Sequence, residues 1–371
     1  MNQLKKNMQK YMQKNEVLHC ILKVLKNRKN DRFLKSVLEA APGPKILVLE
    51  EECLKIRQEK AYLLIDFQQK DIGSRGFCAI LRYILAGCCF ADNIGLIPHI
   101  NIEGSLYNVP GGWNGYNNMY NYYFQGSEDT VEEVKNKNNV IKFRTRNLDV
   151  VYNSFREHGI KVDGYSVTES YLREMGNVMK KYVRLKKELE VSFEKAISEM
   201  FMNRKVLGVH IRGTDFNAGL EKHPIAVSVK DYFEHMECAL QNGYDAVFVA
   251  TDDESILKAC KEKYGDKILY YKDTYRSENG VALHMKKGER KDNQYYLGWE
   301  LLRDMYTLAS CEGLISGLSQ VSFCTQILKY AKEEEYQLVK MLDKGINVQR
   351  DQEKLNVYKE KLRKEGIKGN F

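Results

Sequence analysis

The 371-residue chain has no run of 18 apolar residues and no secretory leader pattern, so neither a membrane-spanning helix nor export is expected. Its longest apolar stretch, around residues 84–91, is broken at once by Asp92. No Cys/His spacing of the zinc-binding kind occurs. The nine cysteines (positions 20, 53, 78, 88, 89, 238, 260, 311 and 324) are odd in number and mostly embedded in apolar pattern. They read as free thiols in a reducing cytoplasm, with the Cys88–Cys89 pair in the core. No Asp-x-Asp occurs either. The compact carboxylate pair that commonly holds a divalent ion on a leaving diphosphate is therefore missing, and no metal is expected. Aromatic base-stacking motifs along a basic stripe are absent from the main body, which argues against a nucleic-acid partner. Internal repeats and low-complexity tracts are not evident.

What is present is an ordinary globular composition, 43% hydrophobic and 29% charged, on a chain too long for one simple core. Two domains are expected. The net charge of +8 is concentrated: residues 1–36 hold ten Lys/Arg and two acids, and residues 37–371 balance at 48 against 48. Apolar Met8, Tyr11, Met12, Leu18, Ile21, Leu22 and Leu25 are interleaved in that arm. The preferred reading is a solvated or bundle-packed helix. The competing one is an amphipathic helix in peripheral contact with an anionic membrane surface.

The most informative stretch is Val206-Leu207-Gly208-Val209-His210-Ile211-Arg212-Gly213-Thr214-Asp215. An apolar strand pattern ends in His-x-Arg. Alternation along a strand puts His210 and Arg212 on one face and Ile211 on the other. A cation at the carboxyl end of a buried strand needs an anion. In open α/β sheets ligands bind at that end. Arginine there suggests phosphate or carboxylate, held by a planar fork of donors. The bland alternative is an Arg212–Asp215 ion pair stapling the turn. A second strand, Asp245–Ala250, runs into Thr251-Asp252-Asp253-Glu254 and a helix. Capping explains one of those carboxylates and not readily two. A third, Gly313–Gly317, meets Leu318-Ser319-Gln320-Val321-Ser322 at a helix start, where free N–H groups make an anion site. Ser228-Val229-Lys230-Asp231 is a capping-box start and Gly243 a stop for the helix between them.

The order His210-x-Arg212-x-x-Asp215, then Ala250-Thr251-Asp252-Asp253 with the helix Leu257–Tyr264, then Ser319-Gln320-Val321-Ser322, resembles the α1,6-fucosyltransferase and protein O-fucosyltransferase superfamily. It is most similar to core α1,6- and nodulation fucosyltransferases, as a bacterial-type member. Upstream, Gly73-Ser74-Arg75-Gly76-Phe77 with the following helix is similar to the family's opening Gly-loop. Asn118–Phe124 is similar to an aromatic segment of bacterial members. The resemblance spans about residues 60–345.

The resemblance implies an α/β, GT-B-like fold: two Rossmann-like halves facing a cleft, with helical N- and C-terminal extensions. The expected boundaries are 1–60 (helical basic extension, broken by Pro42-Gly43-Pro44), 61–202 (acceptor side), 203–345 (nucleotide-sugar side) and 346–371 (charged helical tail, without the extra C-terminal module of animal core fucosyltransferases). It implies an enzyme moving L-fucose from GDP-fucose to a glycan hydroxyl by a metal-independent, inverting route. Arg212 would stabilise the leaving diphosphate and Glu221, ahead of His223-Pro224, would be the general base. His210, Asp215, Asp252, Asp253, Asp304, Ser319, Gln320, Val321, Ser322 and Gly73 would serve donor binding, Asp304 near the guanine. The sequence departs from the family in having Gly213 where those enzymes carry a second arginine, and in a shorter Glu-to-His-Pro spacing. Glycan or lipid-linked oligosaccharide is the implied acceptor. Two other readings stay open: a glycosyltransferase using another sugar nucleotide, and a catalytically silent glycan- or nucleotide-binding protein.

Overall fold

Six consecutive buried residues, Tyr62–Phe67, form β1, the first strand among the described residues. A computed structural model of the protein describes residues 62–93, 95–127, 129–135, 140–157, 159–162, 164–214, 218–283 and 290–367. The basic arm and the Pro42–Pro44 break lie outside them, as do Cys20 and Cys53. The seven described cysteines are unpaired thiols, six of them buried, Cys88 and Cys89 included.

The chain divides into two compact units. The first takes in the described residues up to Arg75 together with 80–105 and 118–184. Its sheet has the order β2-β1-β3, all parallel, with β2 at Ile97–Ile102 and β3 at Val140–Phe143. Parallel strands buried on both faces read as continuous apolar runs, which is why β1 is plain in the sequence. β3 is not: four residues containing Lys142 show neither a long run nor alternation. Helix α1 (Phe77–Asn93) begins in residues assigned to the second unit and continues in the first. α2 (Leu148–Glu157) and α3 (Glu169–Tyr182) belong to the first unit.

The second unit comprises residues 76–79, 106–117 and 185–371. Helix α4 (Lys187–Phe201) belongs to it, although the sequence reading placed residues up to 202 in the first domain. The reason is packing: Ala196, Met200 and Phe201 lie against the buried cluster of Val206, Phe248 and Leu308. Next come β4 (Val206–Ile211), α5 (Val229–Gln241), β5 (Ala246–Thr251), α6 (Glu254–Tyr264) and β6 (Ile268–Leu269). Then follow α7 (Asn293–Ser310), β7 (Gly313–Gly317), α8 (Gln320–Ala331), β8 (Leu338–Leu342) and α9 (Gln352–Lys364). The capping box predicted at Ser228–Asp231 starts α5.

The five-stranded sheet runs β6-β5-β4-β7-β8, all parallel. The chain starts at the centre, moves out through β5 and β6, then returns to the other side of β4. That reversal is the topological switch point of a doubly wound sheet, and the crevice at the carboxyl ends of β4 and β7 is where such sheets bind ligands. At the far end of the chain, α9 buries Leu355, Tyr358 and Leu362. Tyr358 and Leu362 share a cluster with Ala218 and Val281, which makes the helical tail part of the unit's packing.

Candidate active site

β4 sets the site by alternation. Leu207, Val209 and Ile211 point into the cluster of Tyr232, Met236 and Leu257. On the other face, a Cβ on Gly208 would lie 3.1 Å from Leu308 of α7, so that helix presses directly onto the strand. His210 and Arg212 share this face. α7 carries Leu297, Glu300, Asp304 and Leu308 at three- and four-residue spacing, one stripe of the helix. Leu308 is core, and the other three line a pocket with His210, Arg212, Asp252, Tyr107 and Tyr275. The pocket spans about 670 Å³, including the space open to solvent.

Arg212 finds a partner across the strand order, at the end of β5. Its Nη1 lies 2.6 Å from Asp252 Oδ2, with both side chains partly buried. Asp252 also accepts from the Gly213 backbone N–H at 2.8 Å and the Thr214 hydroxyl at 2.5 Å. A carboxylate taking three donors from one turn fixes that turn and aims the guanidinium. Asp215, the partner in the bland reading and a donor-binding candidate in the other, lies outside the described residues. Asp253 does the other job: its carboxylate accepts from Ser255 N–H at 2.9 Å and caps α6. The two adjacent acids thus divide between aiming Arg212 and capping a helix. Gly213 is held small by the same packing. A Cβ there would sit 2.5 Å from Asp253 Cβ and 2.7 Å from Ile256 Cδ1, so a second arginine has no room.

His210 is buried, and burial pushes its imidazole down to about 4, so it is neutral at pH 7. Its Nδ1 lies 3.3 Å from Ser316 Oγ, 3.4 Å from Ser319 Oγ and 3.5 Å from Ser322 Oγ. Ser319 Oγ caps α8 by accepting from Ser322 N–H at 3.0 Å and sits 2.7 Å from Ser322 Oγ. The serines expected to cradle phosphate therefore build a hydroxyl cluster around His210. Val321 from the same turn reaches the pocket lining, and Gln320 does not.

Asp304 is one of three acidic residues of the pocket, with Asp252 and Glu300. It is 8% exposed, and no hydrogen bond or ion pair to it exists among the described residues. Burial pushes its carboxyl up to about 7, with Arg276 and Arg303 opposing that rise. An amphipathic helix could have left it a surface acid, but its place on the Leu297–Leu308 stripe puts it inside. The wall opposite is a loop tied down by Arg303, which holds Asp273 at 2.9 and 2.8 Å and Thr274 Oγ1 at 3.0 Å. Thr274 and Tyr275 of that loop line the pocket.

Two expected residues fall elsewhere. Glu221 sits on a turn, its side chain 43% exposed and 3.8 Å from Lys222 Nζ, and is not part of the pocket lining. Gly73 belongs to the first unit, where it ends a helical turn at φ 53°. Sequence reasoning missed Tyr107, Ser316, Thr214, Tyr275 and Glu300. Only Thr214 and Ser316, each inside a strand-to-turn motif, carried a local signal.

With this geometry in view, residues 169–321 match the family model of α-(1,6)-fucosyltransferase N- and catalytic domains. That stretch contains His210, Arg212, Asp252 and Asp304. Solved structures similar to the chain include the NodZ α-1,6-fucosyltransferase soaked with GDP-fucose, at 14% identity over 74% of this chain and 93% of that one, with a TM-score of 0.45. The fucosyltransferase NodZ from Bradyrhizobium gives 14% identity over 74% and 92%, TM-score 0.40. POFUT1 in complex with GDP gives 11% identity over 76% and 98%, TM-score 0.39. The superpositions are loose. The likeness to α-(1,6)-fucosyltransferases is thus carried by residues 169–321, 153 of the chain's 371 residues.

Proposed function

We propose that the chain transfers L-fucose from GDP-fucose to a glycan hydroxyl. One observation carries the reading: Arg212, aimed by Asp252, shares a pocket with the buried, unpartnered carboxyl of Asp304. A guanidinium fork suits a terminal phosphate. A carboxylate suits the N1–H and amino donors of guanine. As the C1–oxygen bond of the donor breaks, negative charge builds on the leaving diphosphate, and Arg212 stabilises it more in the transition state than in the ground state. The acceptor hydroxyl oxygen attacks C1 from the opposite side as the C1–oxygen bond breaks, inverting that carbon and giving up its proton to water. Neutral His210, anchored by the serine cluster, adds polar contact to the nucleotide without competing as a cation. Glu221, exposed and beside Lys222, is not among the residues that line this pocket.

The decisive experiment incubates the protein with a panel of GDP-, UDP- and dTDP-sugars and reads the released nucleotide. Release of GDP from GDP-fucose alone is the expected result; preference for a UDP-sugar would overturn the donor assignment. Since no Asp-x-Asp is present and Arg212 meets the phosphate charge, turnover is expected to persist in excess chelator. Loss of activity with chelator, restored by Mg²⁺ or Mn²⁺, would show that the charge is carried by an ion instead.

No helix among the described residues is long and apolar enough to cross a membrane. We place the enzyme in the cytoplasm, acting on a glycan or lipid-linked acceptor; the Lys-rich residues 1–36, read first as a solvated segment, are the candidate for peripheral contact with an anionic membrane face. Deleting residues 1–36 should leave turnover on a water-soluble acceptor intact and reduce sedimentation with phosphatidylglycerol vesicles. Unchanged sedimentation would remove the membrane role.

A further inference from the structure

A strip of aromatic rings begins at the mouth of the pocket and runs away from it across the second unit. Tyr275 lines the pocket and is 41% exposed. The Arg290 guanidinium lies 5.7 Å from its ring centre and 5.0 Å from that of Tyr296, itself 37% exposed. Arg290 is fixed by Glu300, another pocket residue. The Tyr296 ring lies 6.1 Å from Trp113, which stacks at 4.1 Å and 17° on buried Tyr295. Trp113 leads to Tyr116, 42% exposed, by reciprocal backbone hydrogen bonds of 2.8 and 2.9 Å.

The end of the strip is built, not frayed. Asn114 and Gly115 take φ of 46° and 81°, and positive φ at both central residues gives the two-residue hairpin turn in which Asn-Gly is favoured. Gly112, at φ 87°, has no room for a Cβ, which would meet Tyr116 O at 2.7 Å. The turn holds Trp113 and Tyr116 side by side, and Tyr295 fixes the Trp113 plane. Aromatic side chains supply contact area at low entropic cost, and Trp, Tyr and Arg dominate binding hot spots.

We infer that this strip binds a neutral oligosaccharide, the acceptor of the transfer proposed above, with the reacting sugar at the Tyr275 end. A pyranose has apolar C–H faces that stack on rings and hydroxyl edges that reach Arg290 and the tyrosine hydroxyls. Charge argues against an anionic surface. Arg290 is neutralised by Glu300, and burial holds the Lys186 ammonium, which lies over Tyr116, below its ordinary range, with Glu188 opposing that shift. Continuity with the donor pocket through Tyr275 and Glu300 is what joins the strip to the reaction.

The chain has two tryptophans, so Trp299→Phe leaves Trp113 as the sole reporter. This protein would be titrated to millimolar levels with hexasaccharides of β1,4-glucose, α1,4-glucose and β1,4-N-acetylglucosamine, and separately with phosphatidylglycerol vesicles. GDP affinity would be measured by calorimetry on the same sample. A saturable blue shift with at least one sugar is expected, weakened about tenfold or more by Tyr296→Ala while GDP affinity stays unchanged. Saturation-transfer NMR on the wild-type chain and Tyr296→Ala checks the same contact without the tryptophan substitution. No response to any sugar by either method, a response to vesicles alone, or one indifferent to Tyr296→Ala would overturn the inference. Sugar binding in a protein that binds no GDP would leave the strip standing and sink the donor reading.

Discussion

Arg212→Ala is expected to fold and to lose a factor of about 10²–10³ in kcat, the usual loss for one transition-state donor. Arg212 extends into the pocket, with its side chain 24% exposed, so its removal leaves no cavity in the core. Arg212→Lys keeps the charge and loses the fork, and should remain badly impaired. Asp252→Asn separates aiming from charge. Its amide oxygen still accepts from Gly213 N–H, the amide NH2 in place of Oδ2 donates to the Thr214 hydroxyl instead of accepting from it, and the ionic pair with the guanidinium is lost. It should fold and lose kcat by a smaller factor than Arg212→Ala, with the double variant no worse than Arg212→Ala alone, because both changes act through one group. The competing view makes the Arg212–Asp252 pair a staple. It predicts early melting in both single variants and normal turnover in whatever remains folded. A well-folded Arg212→Ala protein with near wild-type kcat would sink the mechanism.

Those two residues also show what a sequence can and cannot disclose. β4, β5 and β7 are continuous apolar runs, and their ends announce Arg212, Asp252 and Ser319 because parallel strands place ligand groups at their carboxyl ends. Which of Asp252 and Asp253 serves the site is not legible. Both sit at the same strand end, and only the register of β4 on β5, Ile211 opposite Thr251, decides that Asp252 meets Arg212. The role of Gly213 is likewise a matter of distance to Ile256, not of composition. Tyr107, Tyr275 and Glu300 come from a loop or helix remote in the chain, and no local pattern marks them. The hairpin Trp113-Asn114-Gly115-Tyr116 had a visible Asn-Gly signal, but no flanking strands to draw attention to it.

The second large effect concerns Asp304 and turns on a proton. Burial holds its carboxyl at about 7, so the unliganded pocket is half protonated at neutral pH. Guanine presents donors, N1–H and the 2-amino group, and requires the ionised form. Only the ionised fraction binds, so apparent affinity scales with that fraction. At pH 6 it is about one-tenth and at pH 8 about nine-tenths, so GDP should bind roughly tenfold more tightly at pH 8, with proton release on binding. His210 does not share this window, since burial places its titration near 4. Asp304→Asn should remove the slope and cost about 10- to 100-fold in GDP affinity, the range for losing a hydrogen bond to a charged group. The asparagine amide can donate where the carboxylate could only accept. Xanthosine diphosphate, whose C2 carries an oxygen in place of the amino group, should therefore gain on the variant what GDP loses. Calorimetry with both nucleotides at pH 6 and 8, in buffers of differing ionisation enthalpy, measures affinity and proton release together. A wild-type GDP affinity flat across that range, with no change of nucleotide preference in Asp304→Asn, would show that Asp304 does not face the base.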